Sequence, residues 1–226
     1  MIVMPASNGK SVAHNASIAR VVNGHLHFAI QEERLTRVKN QGGLPLKTLG
    51  LLDQCPEVAW AGTHLFNSAW NRDDVLKAYD NNQFKLKDIL WSRARRTEVV
   101  GEYMNDRREQ VAVSQISGLF GGREPSIHRL DHHLCHASSA YFGWGRMDDP
   151  VLVLTCDGAG DYLCATVNIG RAGKLERIAT VGQEHSIGRL YSMVTRMMGM
   201  VPLEHEYKVM GLAPYGAGAA PAKTIE

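Results

Sequence analysis

No apolar run in this 226-residue sequence approaches the roughly 20 residues a helix needs to cross a bilayer, so no membrane-spanning segment is expected. Cysteine is scarce. The four thiols, Cys55, Cys135, Cys156 and Cys164, form no C-x-x-C pair and read as buried, reduced cysteines of a cytoplasmic protein. An excess of one charge is also lacking: 25 Lys and Arg against 23 Asp and Glu leave a formal charge of +2, which predicts neither a nucleic-acid binder nor an acidic tail. The opening Met-Ile-Val-Met-Pro-Ala has no charged region followed by a long apolar stretch, so no secretory signal is expected. What is present, 44% hydrophobic and 21% charged residues, is the composition of a globular domain with a proper core.

Turn chemistry and periodicity divide the chain. Met1–Met4 reads as a short strand and Pro5–Lys10 as a loop. Ser17–Val22 and His25–Ile30 flank Asn23-Gly24, the pair favoured by a two-residue hairpin turn that needs positive φ at both positions. Residues 46–54 read as a helix and Val58–His64 as a strand. From Arg72 to Gln110 the chain turns polar, with helical spacing around Leu86, Ile89 and Leu90. Its basic residues Arg93, Arg95, Arg96, Arg107 and Arg108 read as a solvated helix face. A second unit is expected to begin at residue 125, giving domains 1–124 and 125–226. In it Ser126–Leu130 is strand-like, and His132–Tyr141 carries small residues suited to a closely packed helix. Val151–Leu154, apolar without a break, predicts a central strand buried on both faces. Asp157–Gly160 reads as a tight loop, Tyr162–Ile169 and Leu175–Val181 as a hairpin, and residues 188–200 as a helix broken before Pro202. The repeated plan of strand, polar or Gly-rich loop, then hairpin points to an α/β protein of the actin-like and sugar-kinase class, with mixed sheets, flanking helices and duplicated lobes.

Chemistry concentrates in Asp131-His132-His133-Leu134-Cys135-His136. On a helix His132 and His136 lie one turn apart on one face, so both imidazoles can reach one ion. Asp157, after the apolar strand, is the candidate third ligand. Two imidazoles and a carboxylate suit iron(II), zinc or manganese with positions left open for a substrate oxygen. Read alone, the spacing more often belongs to helix-capping or core hydrogen-bonding histidines than to a metal site. A zinc protease is disfavoured, because H-E-x-x-H needs Glu where His133 stands. Gly158 and Gly160 would let the backbone N–H groups of a loop approach phosphate, and many ordinary hairpins share this composition. His14 suits a general base or a phosphate donor, and Arg34, Arg37 and Lys39 suit an anion grip. A solvated strand end is the plainer reading of both.

Taken in order, H-N-A-S at 14–17, Q-E-E-R-L-T-R-V-K at 31–39, D-H-H-L-C-H-A-S-S-A at 131–140, D-G-A-G-D at 157–161, S-I-G-R-L-Y at 186–191 and E-Y-K-V-M-G-L-A-P-Y-G at 206–216 closely resemble one family. It is the O-carbamoyltransferases of the nodulation-factor and tobramycin type, and the likeness is weakest over residues 56–120. The resemblance implies that carbamoyl phosphate and ATP give carbamoyl-adenylate on a C-terminal domain. The actin-like domain would then pass the carbamoyl group to the hydroxyl of a small-molecule acceptor in natural-product biosynthesis. It implies His132, His136 and Asp157 as ligands of an iron(II)-like ion, with a fourth aspartate beyond residue 226 and Mg2+ as a further cofactor. It places His14 beside the acceptor hydroxyl, Lys39 and Lys208 against phosphate, and Ser186, Gly188 and Tyr191 around the cleft. Three departures stand out: Asn15 where the family has Asp, Asn40 where it often has His, and Glu204-His205-Glu206-Tyr207 where it has Glu-Gly-Glu-Tyr.

The same likeness implies that the second lobe is incomplete and the adenylate-forming domain missing, so a truncated chain that is inactive alone is expected. The alternatives are an enzyme of tRNA threonylcarbamoyl-adenosine synthesis, which shares the fold and the H-x-x-x-H site, and a non-catalytic ligand-binding remnant. Nucleic-acid and membrane partners are not expected.

Overall fold

A computed structural model of the chain describes residues 2–4, 15–38, 41, 43–62, 98–202 and 204–216. His14, Lys39, Asn40, the basic residues Arg93, Arg95 and Arg96, and the spacing around Leu86–Leu90 lie outside them. The protein is mixed α/β and divides into two compact units, Met1–His185 and Ser186–Glu226.

The first unit opens on a sheet of five strands in the order β3-β2-β1-β4-β5. Strands β1 (Ile2–Met4), β2 (Ser17–Val22) and β3 (His25–Gln31) form an antiparallel meander, while β4 (Glu57–Ala61) and β5 (Ser126–Leu130) add in parallel beside β1. The expected hairpin is present, turning through Asn23 at φ 50° and Gly24 at φ 79°. The expected boundary at residue 125 falls between a long helix and β5, a strand hydrogen-bonded along its length to β4.

One helical turn, α1 (Glu33–Thr36), follows β3, and another, α2 (Leu46–Leu49), stands where a helix over 46–54 is expected. The helix stops at Gly50, and Leu51 and Leu52 turn back through i→i−3 bonds to Thr48 and Leu49. Its N-terminus is capped from 15 residues away. The buried Glu32 carboxylate accepts the Lys47 and Thr48 N–H groups, both at 2.9 Å, and the Thr48 hydroxyl at 2.8 Å. Helix α3 (Glu98–Leu119) covers the sheet with Ala112 and Ile116, one turn apart, against Ile18, Leu49, Val58 and Trp60. Arg129 on β5 fixes it from outside, its Nε donating to Glu109 at 2.5 Å and its Nη2 to Asp106 at 3.2 Å.

Helix α4 (His132–Trp144) leads into a second sheet, the antiparallel meander β6 (Val151–Gly160), β7 (Leu163–Arg171) and β8 (Lys174–Gly182). This corrects two expectations. Strand β6 is not central: among the described residues it pairs with β7 alone, and β7 is the middle strand. Nor is it buried on both faces. Val153 and Thr155 are buried beneath α4, whereas Leu152 and Leu154 are 63% and 65% exposed, because a meander with a helix on one side buries every second residue. Asp157–Gly160 is likewise no loop. It continues β6 with a register shift between Cys156 and Gly160, and Asp161 and Tyr162, at φ 48° and 65°, make the tight turn. Of the four free thiols expected to be buried, only Cys164 is; Cys156 is exposed.

The second unit holds helix α5 (Ile187–Met197), capped by the Ser186 hydroxyl accepting the Arg189 N–H, then α6 (Glu206–Leu212) and the single turn Ala213–Gly216. The Ser192 hydroxyl donates to the Glu206 carboxylate at 2.7 Å. No helix of the described residues is long and apolar enough to cross a membrane.

Candidate metal centre

Helix α4 begins at Asp131, whose backbone is extended and whose carboxylate accepts the Leu134 N–H at 2.6 Å. The first helical N–H, of His132, goes to the Asp161 carboxylate at 2.8 Å. Asp131 is held in turn by both terminal guanidinium nitrogens of Arg177 on β8. Burial opposes ionisation of Asp131, but these bonds win and hold its carboxyl below the usual carboxylate range.

Farther along, α4 docks through Ala137 and Tyr141, which are wholly buried with Val153. Two glycines permit the close approach: a Cβ on Gly170 would overlap the Tyr141 ring, and one on Gly160 would overlap the His132 ring. The Tyr141 hydroxyl accepts the Gly173 N–H at 3.1 Å. Beneath the helix runs a buried polar chain: His133 Nδ1 lies 2.8 Å from the Thr155 hydroxyl, which lies 2.7 Å from the Thr166 hydroxyl, which accepts from Asn168. His133 is the core histidine of the motif. Burial lowers its pKa, and although the Leu163 backbone is near enough to oppose this, Nε2 makes no hydrogen bond of good geometry.

His132 and His136 project from one face of α4 toward Asp157 on β6. His132 Nε2 lies 2.7 Å from Asp157 Oδ2 and 3.0 Å from His136 Nε2, and His136 Nε2 lies 3.5 Å from the same Oδ2. All three atoms fall within 4.8 Å of one another. Ligand atoms about 2.1 Å from one ion at tetrahedral or octahedral angles stand roughly 3.0–3.4 Å apart, so the triangle has the size of a coordination site. Its chemistry fits too. Two neutral imidazoles facing each other through Nε2 share at most one proton, whereas a cation between them uses both lone pairs. Asp157 is half-buried and His136 is 48% exposed, which leaves one side open to solvent.

Charges in the site are mutually set. The hydrogen bond to Asp157 raises the His132 pKa against the effect of burial, with help from the charges of Asp157, Asp161 and Asp131. Burial opposes ionisation of Asp157. Bonds from His132, His136 and the Gly158 N–H nevertheless keep its carboxyl far below the usual range. Asp157 is therefore ionised at neutral pH, as a carboxylate ligand must be to hold a cation.

The other expected site residues fall in different places. Gly160 packs beneath His132, and the Gly158 N–H donates to the Asp157 carboxylate at 2.6 Å, while open space surrounds its Cα. Lys208 belongs to the second compact unit, with Nζ 5.9 Å from the centre of the Tyr207 ring. His14 and Lys39 lie outside the described residues. Arg34 and Arg37 are exposed, and Asn15 adopts φ 66°, a left-handed conformation that Asn and Asp tolerate best among non-glycine residues. Sequence reasoning missed the roles of Asp131, Asp161 and Arg177. Only the first carries a local signal, an N-cap residue just before a helix.

Comparison with known proteins identifies the family. Residues 8–223 match the family model described as "Carbamoyltransferase N-terminus". The nodulation protein NolNO of Sinorhizobium fredii is 30% identical over 208 residues, covering 90% of this chain and 28% of the relative. The nodulation protein NolO of Bradyrhizobium diazoefficiens is 36% identical over 87 residues, or 38% of this chain and 15% of the relative. An uncharacterized protein of Methanocaldococcus jannaschii is 26% identical over 204 residues, 89% of this chain and 32% of the relative. The chain thus spans a third or less of the length of these relatives. With the family model matched along nearly its whole length, the chain belongs to the carbamoyltransferase N-terminal family.

Proposed function

We propose that this chain is the transfer portion of an O-carbamoyltransferase with an actin-like fold, and that His132, His136 and Asp157 hold a divalent ion, iron(II) in first place and zinc or manganese in second. The convergence of His132 Nε2, His136 Nε2 and Asp157 Oδ2 on one point carries this reading. A set of two imidazoles and one carboxylate with an open side favours iron(II). The matching three-stranded meanders β1–β2–β3 and β6–β7–β8 support duplicated lobes.

In this reading the donor is carbamoyl-adenylate, made from carbamoyl phosphate and ATP by a C-terminal domain. The acceptor hydroxyl of a small molecule attacks the carbamoyl carbon. The bond from that carbon to the phosphate oxygen of the adenylate breaks, and the electron pair leaves with AMP. His14 takes the hydroxyl proton, while Lys39 neutralises the phosphate. Gly158, whose N–H donates to Asp157 Oδ1 and where an added Cβ would meet open space, leaves room for a substrate oxygen. A bound ion supplies Lewis acidity to the phosphate or carbamoyl oxygen as charge develops there. Asp157, kept ionised, and His132, oriented by the Asp161 carboxylate on its backbone N–H, hold that ion in place.

The test is binding of AMP, the leaving product, to the iron(II)-loaded chain by calorimetry under anaerobic conditions. Binding that requires the ion and disappears in Asp157→Ala supports the reading. Equal binding with and without the ion removes the ion from the transfer site.

A further inference from the structure

The geometry points to Arg177 as a positioning residue of the metal centre, a role that deepens the function proposed above and rests on it. Arg177 lies on β8, the strand farthest from Asp157 in the second sheet, and touches no ligand atom. Both of its terminal guanidinium nitrogens donate to the two oxygens of Asp131, Nη1 to Oδ2 at 3.2 Å and Nη2 to Oδ1. The side chains are only 29% and 28% exposed, so this is a partly desolvated, forked and charge-assisted pair rather than a solvated surface ion pair. The same Oδ1 accepts the Leu134 N–H and so caps α4.

Three contacts therefore fix the first turn of the helix to the sheet: Arg177 through Asp131, Asp161 through the His132 N–H, and Gly160 beneath the His132 ring. His132 and His136 are one turn apart on that helix, whereas Asp157 sits on β6. Any roll or tilt of the first turn moves two ligands together relative to the third. Arg177 is the only one of the three contacts made from the far strand, so it resists the tilt that Asp161 and Gly160, both at the β6 end, leave free.

Positioning and simple electrostatics predict opposite results. Removing the Arg177 charge leaves Asp131 uncompensated beside His132, and by Coulomb attraction alone this would tighten cation binding. Loss of positioning weakens it, by about tenfold or more on the scale seen when the groups that orient metal ligands are removed.

The experiment is titration of the purified chain with cobalt(II), a spectroscopic probe for the ion, in the parent, Arg177→Ala and Arg177→Lys proteins, with amide hydrogen exchange measured on the metal-free samples. The expected result is weaker cobalt(II) binding and an altered visible band in R177A. R177K should fall between, since it keeps the charge and loses the fork. Metal-free R177A should also show faster exchange at the Leu134 amide, a readout that stands even if cobalt(II) affinity is low. Equal or tighter cobalt(II) binding by R177A overturns the inference while leaving the metal reading intact. Absence of cobalt(II) binding by the parent overturns the metal reading, and this inference with it.

Discussion

The His132 imidazole lies against the backbone of Gly160, in the space that a side chain on that residue would fill. The strand that presents Asp157 is thus bare where the ligand helix crosses it. Gly160→Ala should force the ring away from Asp157 Oδ2, now at 2.7 Å, and weaken divalent-ion binding at least tenfold. Overpacking at this buried position should also cost about 1–3 kcal/mol of stability. Urea unfolding beside a metal titration checks both, and Gly158→Ala, with open space around it, should leave stability within about 1 kcal/mol of the parent.

The legible parts of the fold are those whose signal is local. Asn23-Gly24 specifies its hairpin because only certain residues accept positive φ at two successive positions. Helical spacing alone puts His132 and His136 on one face. The errors have physical causes. Val151–Leu154 is apolar throughout, but whether both faces are covered depends on what else packs on the sheet, which no local pattern encodes. Asp157–Gly160 has the composition of a turn, yet pairing with β7 keeps it in the strand. The turn falls instead on Asp161 and Tyr162, where the Asp161 carboxylate is engaged with α4. Arg177 and Asp131, 46 residues apart, meet only through the order of the strands.

Glu32 provides a test away from the metal centre. Its buried carboxylate satisfies two N–H groups and one hydroxyl at the start of α2. Glu32→Ala strands these donors and should lower stability by about 2–3 kcal/mol, seen as a shift in the urea midpoint. Glu32→Gln, which retains one acceptor oxygen, should recover part of the loss. In the sequence Glu32 is one of a charged run, so a large effect would separate its structural role from that of exposed Arg34.

Tyr141 anchors the other end of α4, with its ring over Gly170 and its hydroxyl on the Gly173 N–H. Tyr141→Phe removes one hydrogen bond and should cost about 1 kcal/mol, whereas Tyr141→Ala opens a cavity and should cost about 3–5 kcal/mol. Thermal unfolding of the two variants separates the terms.

The metal-free chain should show a defined pH dependence. His132 has a raised pKa in the folded state, so its contribution is complete below the unfolded value of about 6.5 and is lost as pH rises through the folded value. Asp157 has a depressed pKa, so its contribution is present above about 3.9 and is lost only as pH falls toward its folded value. The pair should therefore stabilise the chelator-treated chain more at pH 6 than at pH 8.5. In Asp157→Asn that difference should shrink. A parent midpoint that rises from pH 6 to 8.5, unchanged in the variant, would show that this pair does not govern the profile.

The most direct test of the account is the metal content of the chain purified without chelator, beside His132→Ala, His136→Ala and Asp157→Ala. The account predicts near-stoichiometric iron, or zinc after aerobic handling, in the parent and little in any of the three variants. A parent that binds no divalent ion even after anaerobic loading with iron(II), or variants that bind as much as the parent, would contradict it.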